Sequence, residues 1–176
     1  MAARALEFAI LTAGRSGEVY GARWTEFDLD KKVWTIPAER MKAGREHRVP
    51  LCRRVAEIVE EMARVKVGQF VFPGRGSDKP LSHVAMAKVI DRVGATKATV
   101  HGFRSAFRDW AGNETHFARE IAEAALAHVT GDAAEQAYRR GDAIEKRRAL
   151  MTAWGQYIEP NQSGGAAVLR FVKADV

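Results

Sequence analysis

In the stretch HGFRSAFRDW, Phe103, Ala106, Phe107 and Trp110 fall at i, i+3, i+4 and i+7. That spacing puts four apolar side chains on one side of an α-helix, and they require a core to receive them. His101, Arg104 and Arg108 fall at i, i+3 and i+7, so the same helix turns them to the other side, toward water or an anion. The helical period recurs along the chain. Leu6, Ala9, Ile10 and Ala13 keep it over 3–13, and Val55, Ile58, Val59 and Met62 keep it after Arg53. Met86, Val89, Ile90 and Val93 keep it in a helix that Ser82 is placed to cap. A short helix is expected near 118–127. A last one over 143–158 is expected to bury Ile144, Met151, Trp154 and Ile158.

One region breaks this period. FDLDKKVWTIP reads as two short strands around a turn at Asp30–Lys32, and HRVPL reads as a third after a second turn at AGRE. The fold class expected is therefore mostly α with a small antiparallel three-stranded β-sheet (α+β). Residues 1–160 are expected to form one domain. The 161–176 tail starts like a linker and ends in a strand-like VLRFV, which needs a sheet edge in its own or another subunit.

The 176 residues are enough for a core, and the mixture of 47% hydrophobic and 28% charged residues is that of a globular protein. The net charge of +6 favours a polyanionic partner. Cys52 is the one cysteine, so no intramolecular disulfide can form and a reducing cytoplasm is the expected compartment. The opening MAARALEFAILTAG is too short to span a bilayer and lacks a signal-peptide pattern.

None of the five histidines forms an i, i+4 helical metal pair, and neither a Walker loop nor GxGxxG is present. No metal or cofactor is expected. Phosphate recognition favours arginine, whose planar fork donates two parallel bonds. Arg15 stands at a helix start, where backbone N–H groups also favour an anion. Lys42 lies at a strand end beside a turn, His128 precedes the break at TGD, and Tyr138 follows ten residues later. Read singly, each has an ordinary role. Arg15 would be a helix-terminal surface arginine, and Arg104 would pair with Asp109 or Glu114 at the surface. His101 and His128 would be structural or capping, Lys42 solvated, and Tyr138 packed.

Taken in order, TAGRSGE, a lysine in a β-hairpin before RVPL, HGFR, LAH and AYRR resemble the tyrosine recombinase (phage integrase) family. WTIPAERMK, HRVPL and RRALMTAW look most like the integrases of prophages and genomic islands. The resemblance covers the chain up to about Pro160. It implies an α-rich catalytic domain with a small sheet at one edge, acting on double-stranded DNA without metal or cofactor. It also implies roles. Arg15 and Arg104 would bind the non-bridging phosphate oxygens, with Glu18 supporting Arg15. Lys42 would protonate the leaving 5′ oxygen, although Arg40 and Arg45 flank it and could present another base. His101 would act as base and His128 as a hydrogen-bond donor. Tyr138 would be the nucleophile, forming a 3′-phosphotyrosine. Family members usually carry an N-terminal DNA-binding domain, which is expected to be absent here. They act as tetramers on DNA, and this chain alone is expected to be a monomer. The competing functions are a type IB topoisomerase-like enzyme, a non-catalytic DNA-binding regulator on the same fold, and a basic helical interaction module.

Overall fold

The computed structural model describes residues 1–76, 79–128 and 143–159. Seven helices and three strands are described: α1 (Ala2–Thr12), α2 (Ser16–Tyr20), β1 (Phe27–Asp28), β2 (Val33–Ile36), β3 (His47–Pro50), α3 (Arg53–Ala63), α4 (Ala85–Arg92), α5 (Val100–Asn113), α6 (Arg119–Ala125) and α7 (Ile144–Ile158). The strands pair antiparallel in the order β1-β2-β3, with Trp34 opposite both Phe27 and Val49. The expected mostly helical chain with a small three-stranded sheet is the observed fold. Among the described residues no helix is long and apolar enough to cross a membrane. Tyr138, the TGD break and the 161–176 tail lie outside the described residues.

α1 is the central helix. It packs against α2, α3, α4, α5 and α7, and buries Ala5, Leu6, Phe8, Ala9, Leu11 and Thr12. The single stripe expected from Leu6, Ala9, Ile10 and Ala13 understates this, because a helix covered on several sides needs apolar residues all round. On one side lies a core of Phe8, Trp34, Phe72, Ile58 and Met86, with Phe8 edge-on to both Trp34 and Phe72. On the other lies a second core of Phe107, Trp110, Leu126, Leu150, Met151 and Trp154. Ile10 and Ile158 are partly buried and touch both.

Two helix details differ from the sequence expectation. Ser82 is not the cap of α4: Val84 holds that position, and the Ser82 carbonyl instead accepts the Ala85 amide at 2.9 Å. α4 buries only Met86 and Ile90, because the helix stops at Arg92 and leaves Val93 in the solvent beside Gly94 (φ 74°). In α7 the fully buried residues are Arg147, Leu150, Met151, Trp154 and Gly155, while Ile144 and Ile158 are half-buried at the helix ends.

Candidate active site

Arg15 is the N-cap of α2, in extended conformation. Its backbone N–H donates to Glu18 Oε2 at 2.8 Å, and its Nη1 donates to Glu18 Oε1 at 2.7 Å. Glu18 is buried, so one carboxylate closes the first turn of α2 and fixes the arginine that opens it. Arg15 Nη2 then reaches the Leu126 carbonyl at 3.4 Å, across 111 residues of sequence.

Arg104 arrives at the same carbonyl from α5. Its Nη2 donates to Leu126 O at 2.8 Å and its Nη1 to Ala13 O. The two accepting carbonyls flank tight reversals. Ala13 itself (φ 49°) and Ala127, which follows Leu126 (φ 50°), are both left-handed. The expected surface pairing of Arg104 with Asp109 or Glu114 does not occur. Arg104 is only 6% exposed, because the α1–α2 junction and the turn after α6 close over the middle of its stripe. His101 and Arg108, one turn to either side, stay exposed. Burial, helped by the like charge of Arg15 and opposed by Glu18, pulls the Arg104 guanidinium pKa down to about 10. It remains charged at neutral pH. Its described partners are backbone carbonyls and His128, with no carboxylate among the described residues.

His128 completes the cluster. Its Nε2 lies 3.4 Å from Arg104 Nη2, and its Nδ1 lies 2.6 Å from Glu123 Oε2. The structure thus brings Arg15, Glu18, Arg104 and His128 together around Leu126. His101 and Lys42 are exposed and make no side-chain hydrogen bond within the described residues. Lys42 is not at a strand end. β2 stops at Ile36, a 3-10 turn over Ala38–Arg40 follows Pro37, and Lys42 sits in the turn beyond it. Arg40, one of the two alternative bases flanking Lys42, is directed inward. Its guanidinium binds the Glu26 carboxylate and the Glu18 carbonyl, and Trp34 Nε1 donates to the same Glu26 at 2.9 Å.

Sequence reasoning missed three supports. His47 is buried on β3 and its Nε2 meets the Ala125 carbonyl at 3.2 Å, tying the end of α6 to the sheet. Burial pushes its pKa down to about 4, helped by the Arg147 charge, so the ring is neutral and donates. Alternation in HRVPL puts His47 on the inward face with Val49, and that was the available signal. Glu123 and Arg147 are buried charges with no signal in local periodicity.

This arrangement can hold a tetrahedral oxyanion between two guanidiniums and an imidazole. Comparison with known proteins shows the family. The family model described as "Phage integrase family" matches residues 2–143. Prophage integrase IntA of Escherichia coli K12 is 36% identical over 167 residues, covering 93% of this chain and 40% of its own length. Prophage integrase IntZ of the same organism is 36% identical over 162 residues, covering 91% of this chain and 40% of its own length. The chain thus spans about two fifths of these relatives. Among solved structures, the integrase from mycobacterium phage Brujita shares the fold, with a TM-score of 0.63 at 18% identity, over 86% of this chain and 50% of that one. The chain belongs to the phage integrase family and has the fold of a tyrosine recombinase catalytic domain.

Proposed function

We propose that the chain cuts and rejoins double-stranded DNA at specific attachment sites through a 3′-phosphotyrosine on Tyr138. The observation that carries this reading is Arg104: a buried guanidinium beside a second one, with backbone carbonyls where a carboxylate would be expected. Glu18 offsets one positive charge of the two. The remainder favours an anion, and burial makes such a charge worth more than it would be in water.

In this reading the Tyr138 oxygen attacks phosphorus and loses its proton to His101. Arg15 and Arg104 bind the non-bridging oxygens as charge builds, and His128 donates to one of them. The bond to the 5′ oxygen breaks, and Lys42, at the exposed hairpin turn, gives that oxygen a proton. The products are a 3′-phosphotyrosine and a 5′-hydroxyl. Attack by the 5′-hydroxyl of a second strand reverses the step and frees Tyr138, so the bond energy is kept. The whole protein would act in the cytoplasm as a tetramer on DNA, with residues 1–160 as its catalytic unit and the chain by itself a monomer.

A nicked suicide duplex carrying the attachment site of the encoding element tests this. The chain should form an adduct that survives a denaturing gel, and Tyr138→Phe should form none. An adduct with Tyr138→Phe would mean another nucleophile. Sulfur in place of the bridging 5′ oxygen tests Lys42, because a thiolate leaves without a proton. Lys42→Ala should be slowed about 10²–10⁴-fold on the oxygen substrate and restored on the sulfur one. Arg15→Ala should stay slow on both.

A further inference from the structure

Glu123 is 5% exposed, and its two oxygens are used by different segments, α5 and the chain after α6. Oε2 meets Nδ1 of His128 at 2.6 Å, and Oε1 accepts Nε of Arg108, on α5, at 2.8 Å. Arg119 stands at 3.9 Å from Oε1. Burial raises the carboxyl pKa, but the His128 hydrogen bond and the Arg108 charge outweigh it, so the group sits below the ordinary glutamate value and is ionised at neutral pH. An ionised carboxylate only accepts. Nδ1 of His128 must then carry a proton, and Nε2, 3.4 Å from Arg104 Nη2, is the nitrogen left for the site.

We propose that Glu123 is a positioning residue for the reaction: it holds the Nδ1 proton of His128 and so dedicates Nε2 to the bound phosphate. The inference rests on the anion-binding reading of Arg104 and His128 given above. With no anion present, a neutral ring protonated at Nδ1 offers its Nε2 lone pair toward Arg104. When a phosphate sits between them, the ring donates Nε2–H only as the imidazolium, with the opposite proton on Glu123. Arg108 secures the carboxylate from the helix that carries Arg104, so α5 and α6 hold the imidazole jointly.

Nitrogen-detected NMR of the His128 ring tests this on the intact chain. At alkaline pH the unaltered chain should show a protonated Nδ1 and a bare Nε2. Glu123→Ala should move the proton to Nε2, the form a solvated imidazole prefers. Glu123→Gln keeps the shape and serves where the alanine variant folds poorly. Its one oxygen is contested by Arg108 and His128, so both tautomers should appear. Adding Arg108→Ala should release that oxygen to His128 and restore the protonated Nδ1. Titration with inorganic phosphate near neutral pH should shift the Nε2 resonance of the unaltered chain. Glu123→Ala should need about 10-fold more phosphate for the same shift, at the lower end of the usual cost of losing a supporting partner. A proton on Nε2 in the unaltered chain, or a tautomer indifferent to Glu123, overturns the proposal. If the tautomer obeys Glu123 but phosphate leaves Nε2 unmoved, the anion-binding reading fails, and Glu123 is reduced to a structural ion pair.

Discussion

His47 and Arg104 are both buried cationic-type side chains, and burial lowers the pKa of each. The outcomes differ because their starting points differ. Arg104 stays charged and His47 does not. For His47 the folded value of about 4 lies below the ordinary 6.5, so between them the unfolded chain binds the extra proton. Stability therefore falls as pH drops through that window and is unaffected by this group above it. The gap corresponds to roughly 3 kcal/mol, lost in full only once the pH has fallen below the folded value. Urea denaturation from neutral pH down to about pH 5 should show this slope in the unaltered chain and a flatter one in His47→Gln, whose amide can still donate to Ala125. Parallel slopes would place the acid sensitivity elsewhere.

The two arginines should also separate under mutation. Arg104→Ala takes the side-chain donor from the Ala13 carbonyl and leaves Leu126 only the longer bond from Arg15 in a closed site, and is expected to cost about 1–3 kcal/mol of stability besides the transition-state loss. Arg15, with 30% of its side chain exposed and an ion pair to Glu18, should lose cleavage in Arg15→Ala at a much smaller cost in folding. Denaturation curves and adduct yields, measured on the same preparations, check the pair. Equal stability losses would mean that burial does not distinguish them.

At the scale of elements, α5 and α7 are held by aromatic contact. Trp110 and Trp154 are 5.0 Å apart between ring centres, Phe107 lies edge-on to Trp154, and Trp110 is 8% exposed. Trp110→Ala should cost about 3–5 kcal/mol and loosen the helix that carries Arg104, which a fall in melting temperature would register. α7 also approaches the start of α3 closely. A Cβ on Gly155 would stand 2.9 Å from Cys52 Sγ and 3.2 Å from its Cβ. Gly155→Ala should therefore destabilise by about 1–3 kcal/mol through overpacking, and Cys52→Ala in the same chain should recover part of that. No recovery in the double variant would exclude the Cys52 contact as the cause.

At the scale of the whole molecule, the two core clusters meet at α1. Ile10 touches both, and its carbonyl accepts Trp154 Nε1 at 2.9 Å from α7. The carbonyls that organise the candidate site, Ala13 and Leu126, lie just beyond α1 and α6. Loss of either cluster would thus remove one side of the site. Unfolding is expected to be one transition, with the most protected amides of β2 and α7 exchanging at the same opening free energy. Separate free energies in native-state hydrogen exchange would show two independent halves.

The sequence by itself determined the helices and strands, because side-chain period and turn residues are local properties. Val55, Ile58, Val59 and Met62 mark the buried face of α3 without reference to any other element, and FDLDKKVWTIP with HRVPL specifies the three paired strands. The order of TAGRSGE, HGFR and LAH likewise pointed to the family and to Arg15, Arg104 and His128, which the fold gathers. Tertiary structure alone decided which polar residues are covered. Arg104 shares a stripe with His101 and Arg108, yet only Arg104 is closed over, by segments 91 and 22 residues away in sequence. Glu123 and His47 became supports for the site in the same way. A buried charge is stable only where distant backbone and side chains supply its partners, and no local pattern encodes where those partners will arrive.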